Sequence, residues 1–246
     1  RQIKALIDEF NAQQAGGLEQ ELFKQRKRLA DAERTLQTKT TKVATESERI
    51  ATDKVQWCLD KLAALRRSEL TDDDARIFPG WYASVMVMDE TGQRVLKPMR
   101  YQCRPAGKPA FYDAKFPGTY NARRDKLETS WKRLFGRQHA VMVVERFYES
   151  VDRDGQAVEL EFVPRTREPL LVPCLWAYDA RDRLYSFAAI PDDPEPEVAE
   201  AGHDRTIIDI KPEHVDAWLN PAGDLKKMQA IFDDRQHPYY EHREAV

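Results

Sequence analysis

The spacing of apolar positions changes partway along the chain, and that change divides it. Residues 18–78 contain neither glycine nor proline and are dense in Glu, Lys, Arg, Gln and Ala, which lose little on entering a helix. Leu22, Leu29, Leu36, Val43, Ile50 and Trp57 recur every seven residues. The companion positions between them are mostly polar, so the pattern is half of a coiled-coil seam. Unbroken, such a helix would run roughly 90 Å at about 1.5 Å per residue. The threonines of "TKTTKVATES" are weaker helix formers, and a bend there predicts a helical hairpin. Upstream, "RQIKALIDEF" places Ile3, Leu6, Ile7 and Phe10 on one helical face. It reads as the middle of a helix, so the true start of the protein is expected further upstream.

Beyond Phe78, glycine, proline and aromatic residues replace the helix formers, and the apolar runs shorten. "SVMVM" and "RVLKPMRYQ", joined by the turn "DETGQ", predict a hairpin. "HAVMVVERFYE", "VELEFVP", "LLVPCLWAYD", "RLYSFAAI" and "RTIIDI" read as further strands, and "LETSWKRLF", "PEHVDAWLN" and "LKKMQAIFDD" as helices. The helices fall irregularly among the strands instead of alternating with them, which predicts an α+β fold. The expected organisation is a helical arm over residues 1–77 and a compact, mostly-β domain with peripheral helices over 78–246. Trp81, Trp131, Trp176 and Trp218 are expected in its core.

Composition narrows the function classes. The chain has 246 residues, 33% of them charged, and no run approaches the roughly eighteen apolar residues of a membrane span. With no secretory signal pattern either, a soluble, cytoplasmic protein without a membrane partner is expected. Cys58, Cys103 and Cys174 are odd in number and lack C-x-x-C spacing, which points to free thiols in a reducing compartment. His214, His237 and His242 have no metal-ligand spacing, and no phosphate-loop, dinucleotide, nucleophile-elbow or zincin motif occurs. No metal and no cofactor are expected. The net charge is −3, but residues 91–147 carry thirteen basic against four acidic side chains, and residues 148–246 carry eleven against twenty-two. A basic middle segment suits a polyanion. Pairing between the two segments is the other reading, and composition leaves both open.

Three stretches could carry chemistry. "GTYNARRDKLE" sets Asn121, Arg123 and Arg124 just after a turn, either as a solvated helix start or as a phosphate contact. Glu149 ends an apolar strand, where partial burial would raise its pKa and suit it to acid–base work. His203 follows the acidic, proline-rich "PDDPEPEVAEAG" and is the side chain best suited to moving protons near neutrality. By pattern alone, an exposed glutamate and an exposed histidine are the commoner readings.

Taken in order, "YNAR", "ERFYES", "LVPCLWAYD" with "LYSFAAI", "GHDRTII" and "HVDAWLNP" resemble the SOS response-associated peptidase family. Its members carry N-A-R-x-E, G-F-Y-E-W, G-L-W and H-D-R-M-P in the same sequence. The resemblance covers residues 78–221 and leaves the helical arm unexplained; the arm is the part expected to contact protein partners or self-associate. The resemblance implies a mostly-β fold that binds single-stranded DNA containing abasic sites. In that family an N-terminal cysteine, exposed by autocatalytic removal of the initiator Met, forms a thiazolidine with the ring-opened sugar. Carried over by motif, Asn121 would orient the cysteine, Glu149 would manage protons at its amine, and His203 would assist ring opening. Arg123 would hold a flanking phosphate, with Arg205 as a helper. The Met-Cys start is absent here; Ser150 stands for the usual Trp, Asp125 for a Glu, and Thr206 and Ile207 for Met and Pro. The alternative expectation is a non-catalytic nucleic-acid-binding or protein-interaction module with a vestigial pocket.

Overall fold

A computed structural model describes residues 2–67, 69 and 71–245. The chain divides into two compact units, Arg1–Arg76 and Ile77–Val246.

The first unit is a helical hairpin, α1 (Gln2–Thr38) and α2 (Lys42–Arg66). The break falls within the threonine run because Thr41 caps α2: its hydroxyl accepts the Ala44 N–H at 3.2 Å, satisfying a donor that the first helical turn leaves unpaired. Leu22 packs on Cys58 and Leu62, with Ala15, Leu18 and Val55 around them. Arg66 reaches back to Glu19 at 2.6 Å. The seven-residue row splits at the bend. Leu22 is buried in the seam, but the buried row of α2 is Ala44, Ala51, Cys58 and Leu62, one residue out of phase with Val43, Ile50 and Trp57. Small side chains there let the two helices approach closely, and Val43 is left 80% exposed. Of the predicted N-terminal apolar face, the side chains of Ile3, Leu6 and Ile7 lie outside the described residues, and Phe10 is exposed.

The second unit comprises β1 (Tyr82–Met88), β2 (Arg94–Tyr101), α3 (Phe111–Lys115), β3 (His139–Val144), β4 (Phe147–Arg153), β5 (Gln156–Pro164), β6 (Leu170–Asp179), β7 (Leu184–Ala189), β8 (Pro191–Asp192), α4 (Pro196–Glu200), β9 (Thr206–Ile207), α5 (Val215–Leu219), α6 (Leu225–Asp233) and β10 (Tyr240–Glu244). Strands β1-β2-β7-β6-β3 form a closed barrel, β10-β5-β4 a separate sheet, and β8-β9 a short ribbon. The fold is α+β. Closure depends on a parallel contact between β2 and β7, with Arg100 opposite Ser186 and Tyr101 opposite Phe187.

The β1–β2 turn forms as expected. The Asp89 carboxylate accepts hydrogen bonds from the backbone N–H groups of Thr91 and Gln93, and Gly92 adopts a φ of 78°. Three elements differ from the sequence pattern. "HAVMVVERFYE" is two strands: the chain leaves the barrel at Glu145–Arg146, where Arg146 pairs with Glu161 of β5 at 2.7 Å and Phe147 stacks on Phe162 at 5.0 Å. "LETSWKRLF" is a run of turns instead of a helix, with hydrogen bonds of mixed spacing, including Trp131 N to Lys126 O and Phe135 N to Trp131 O. The C-terminal residues, which none of the expected strands covers, supply β10, which pairs with β5.

The core lies in two clusters. One is centred on Trp218, Phe232, Leu175 and Phe135 and the other on Phe187, Phe162, Met99 and Leu160. Trp131 and Trp176 pack at their margins. Trp81 is 48% exposed, against expectation; it lies just before β1 and meets Phe78 edge-on at 5.2 Å.

Candidate functional site

Asn121 is set at one end of the barrel by its backbone. The chain enters beside β7, where the Ala189 N–H donates to Tyr120 O at 2.9 Å and the Ala122 N–H donates to Ala189 O at 2.7 Å. This two-bond clamp fixes the backbone around Asn121, whose carboxamide makes no hydrogen bond to any described residue. Tyr120 in turn meets Tyr101 edge-on at 5.6 Å, and Tyr101 stacks on Phe187 at 5.1 Å.

Glu149 lies on β4 opposite Leu160 of β5. Alternation along the strand puts it on the same face as Phe147 and Val151, the face turned toward the core. Burial therefore pushes its carboxyl above the ordinary carboxylate range, although His203 and Arg205 pull it back. Burial raises the Tyr101 hydroxyl pKa strongly, with Glu149 adding to the effect. Tyr101 thus neighbours Tyr120 and is near Glu149, and it carried no sequence signal.

His203 arrives from α4. Gly202 ends that helix with its N–H on Ala199 O and a φ of 102°, a left-handed conformation that side-chain-bearing residues rarely adopt. A Cβ there would lie 3.8 Å from Val151 of β4, so the reversal turns the next residue onto the strand that carries Glu149. The His203 Nε2–Glu149 Oε2 distance is 3.2 Å, with the two side chains 13% and 25% exposed. The other ring nitrogen, Nδ1, lies 2.8 Å from Arg205 O. A carbonyl only accepts, so Nδ1 carries hydrogen and donates. The Nε2 side is within ion-pair range of the Glu149 carboxyl, where the two groups influence each other electrostatically.

The two arginines border this pair. Arg205 acts electrostatically on Glu149 and is bonded through Nε to Asp204 at 3.0 Å. Arg123 is 45% exposed and bonded to Asp125 at 3.0 Å, and its charge reaches Asp204 beside His203. Glu149 and His203 are thus in direct contact with Arg205 beside them, whereas Asn121 and Arg123 make no hydrogen bond or ion pair with either among the described residues.

Arg124 behaves differently from its neighbour. It is not a solvated charge: it bridges Asp192 at 3.0 Å and Asp233, bonds Gln229 at 3.1 Å and lies over the Phe232 ring. Arg94, Arg104 and Arg146 likewise pair with Asp216, Asp182 and Glu161. Four of the thirteen basic side chains of the middle segment are therefore paired with the acidic third. The acidic loop is committed too, with Asp192 and Glu195 on Arg235 and Glu197 accepting the Tyr240 N–H.

None of the three cysteines offers a nucleophile, because Cys58, Cys103 and Cys174 are all buried. Desolvation pushes the Cys103 thiol up to about 12, and only the thiolate is reactive. His139, which carried no sequence signal, is buried and structural: the Gly136 N–H donates to its Nε2 at 2.7 Å, and Nδ1 faces Trp218 O at 3.0 Å. No cluster of three or more His, Cys, Asp or Glu among the described residues could hold a metal ion. No described helix is long and apolar enough to cross a membrane.

Comparison with solved structures finds the same architecture elsewhere. A protein from Bordetella bronchiseptica matches with a TM-score of 0.56 at 20% identity, over 73% of this chain and 90% of that one. A phage-related protein from the same organism matches with a TM-score of 0.55 at 18% identity, over 69% and 80%. A protein from Bacteroides thetaiotaomicron matches with a TM-score of 0.55 at 11% identity, over 76% and 88%. At these identities the likeness establishes a shared fold. No curated protein matches the sequence. The profile of the SOS response associated peptidase (SRAP) family matches residues 28–245, a span that takes in α2 and every element of the second unit. The chain therefore belongs to the SOS response associated peptidase family, and with it to proteins of the SOS and DNA-damage response whose general role concerns abasic sites in DNA.

Proposed function

We propose that the second unit binds single-stranded DNA at an abasic site and processes it through a covalent thiazolidine with an N-terminal cysteine of the full-length protein. The observation that carries this reading is the Glu149–His203 contact at 3.2 Å, with the far ring nitrogen held by Arg205 O. Thiazolidine formation needs a group that takes a proton at one step and returns it at the next, and an adjacent carboxyl and imidazole provide it.

The ring-opened sugar presents an aldehyde at C1′. The cysteine amine attacks that carbon, and water leaves, giving a Schiff base. The thiol sulfur then adds to the same carbon, and the thiol proton ends on the nitrogen. Glu149 takes the proton that the ammonium must lose before attack, and His203 donates to the departing oxygen at ring opening and at dehydration. Asn121, with a free carboxamide on a clamped backbone, orients the cysteine. Arg123 and Arg205 neutralise the flanking phosphates. Removal of an initiator Met in front of the cysteine draws on the same acid–base pair.

The test uses full-length protein beginning Met-Cys and a single-stranded oligonucleotide with one abasic site. A heat-stable shifted band is expected. Glu149→Gln and His203→Ala should each slow its appearance by about two to four orders of magnitude, the usual worth of a positioned acid or base. Absence of any adduct from the Met-Cys protein would overturn the covalent reading.

A further inference from the structure

The outer face of α2 carries a second apolar row that the hairpin does not use. Ala44, Ala51, Cys58 and Leu62 are buried. Val43, Ile50 and Trp57 stand one residue earlier, about 100° further round the helix. Val43 and Trp57 are 80% and 45% exposed, and Ile50 is half-buried. A row that repeats every seven residues presents one continuous stripe to a partner helix of the same period.

The stripe has differently charged flanks. Three residues beyond each apolar position stand Glu46, Asp53 and Asp60, on one side of the row. Four residues beyond stand Ser47, Lys54 and Lys61, on the other. This asymmetry decides between the two ways of pairing the stripe with itself. A two-fold axis perpendicular to the helices runs them antiparallel and brings like flanks together. An axis along the helices runs them parallel and brings each acidic flank against the other copy's basic flank.

We propose that α2 is a parallel homodimer seam in which Val43, Ile50 and Trp57 meet their counterparts in a second copy of this chain. Asp53 and Asp60 of each copy then face Lys54 and Lys61 of the other. Within one copy Lys54 lies over the Trp57 ring at 4.9 Å, Arg49 pairs with Glu46 and Asp53 and Gln56 donates to Asp60 at 2.8 Å; these exposed contacts exchange for the intermolecular pairs when the second copy docks. The stripe belongs to the arm alone, so the inference stands independently of the chemistry assigned to the second unit.

Sedimentation equilibrium of the whole chain tests the proposal, with circular dichroism to show that each variant keeps its helix content. The wild type should dimerise as concentration rises, and Ile50→Asp with Trp57→Asp should be monomeric. Asp53→Lys with Asp60→Lys should weaken the dimer by at least about tenfold, because like charges then face each other. Adding Lys54→Glu and Lys61→Glu should restore it. Val43→Cys should crosslink to itself on mild oxidation, since the parallel axis brings the two copies of that residue together. A wild type that stays monomeric, a dimer indifferent to Ile50 and Trp57, a helical charge swap that fails to restore association, or a dimer without the Val43→Cys crosslink would each overturn the proposal.

Discussion

His139 shows how a residue with no sequence signal can influence stability. Burial holds its pKa down at about 3, against the ordinary 6.5, and both ring nitrogens are committed to backbone groups. Between those two values the unfolded chain binds a proton that the folded chain refuses, so stability rises with pH across that window. It is present in full above pH 6.5 and lost as pH falls toward 3, by up to about 5 kcal/mol. Asp209, buried and pushed up to about 6, works in the opposite direction over a narrower range, so the informative measurement is a comparison. Urea midpoints between acid and neutral pH should shift less for His139→Gln than for wild type, although the variant starts lower at neutrality because its hydrogen bonds are poorer. An equal slope in both proteins would show that His139 is not the group responsible. Glu149 and His203 differ from His139 in that their pattern suggested chemistry, but only the 3.2 Å contact between them separates two unrelated surface side chains from an adjacent pair.

At the scale of elements, a single glycine governs the site. Gly202 closes α4 at a φ of 102° and turns His203 onto β4. Gly202→Ala would strain that reversal by about 1–2 kcal/mol and displace the imidazole. Gly92→Ala, at a φ of 78° in the β1–β2 turn, carries a similar strain away from His203. Both variants should lower the urea midpoint comparably, while adduct formation on abasic DNA should fall only for Gly202→Ala. A matching loss in both would mean that the reversal does not position the histidine. The elements themselves were unevenly legible. The hairpin bend, the β1–β2 turn and most strands follow from local composition and periodicity. The break at Arg146 did not, because the ion pair with Glu161 that draws the chain into another sheet spans fifteen residues. The turn run at "LETSWKRLF" has helical spacing in its apolar residues, yet packing of Leu127, Leu134 and Phe135 into the core prevailed over propensity.

At the scale of the whole molecule, charge is the property most changed by folding. Sequence counting leaves a basic middle segment and an acidic third, whereas the structure folds Arg94, Arg104, Arg124 and Arg146 onto acids of that third. The footprint left for a polyanion is therefore smaller than composition implies, and adjacent arginines separate by role. Arg123→Ala should weaken binding to single-stranded DNA and reduce the slope of log affinity against log salt by about one. Arg124→Ala should instead lower the unfolding midpoint, with the salt slope changed far less, because its partners are Asp192, Asp233 and Gln229. Equal salt slopes for wild type and Arg123→Ala would remove the phosphate contact from the proposed function.

The family and the α+β class were legible in the linear order of short motifs and in the shift from helical to strand periodicity, because these depend on neighbours a few residues apart. The phase of the arm's seam was not. The bend at Thr41 resets which face of α2 meets α1, so Val43 and Trp57 point outward although they continue the spacing of Leu22. Nor could the chain order alone say that Glu149 and His203 touch, or that Arg124 is structural while Arg123 is exposed. Those outcomes rest on contacts between residues dozens of positions apart, and only closure of the barrel and packing of the second sheet bring such residues within hydrogen-bonding range.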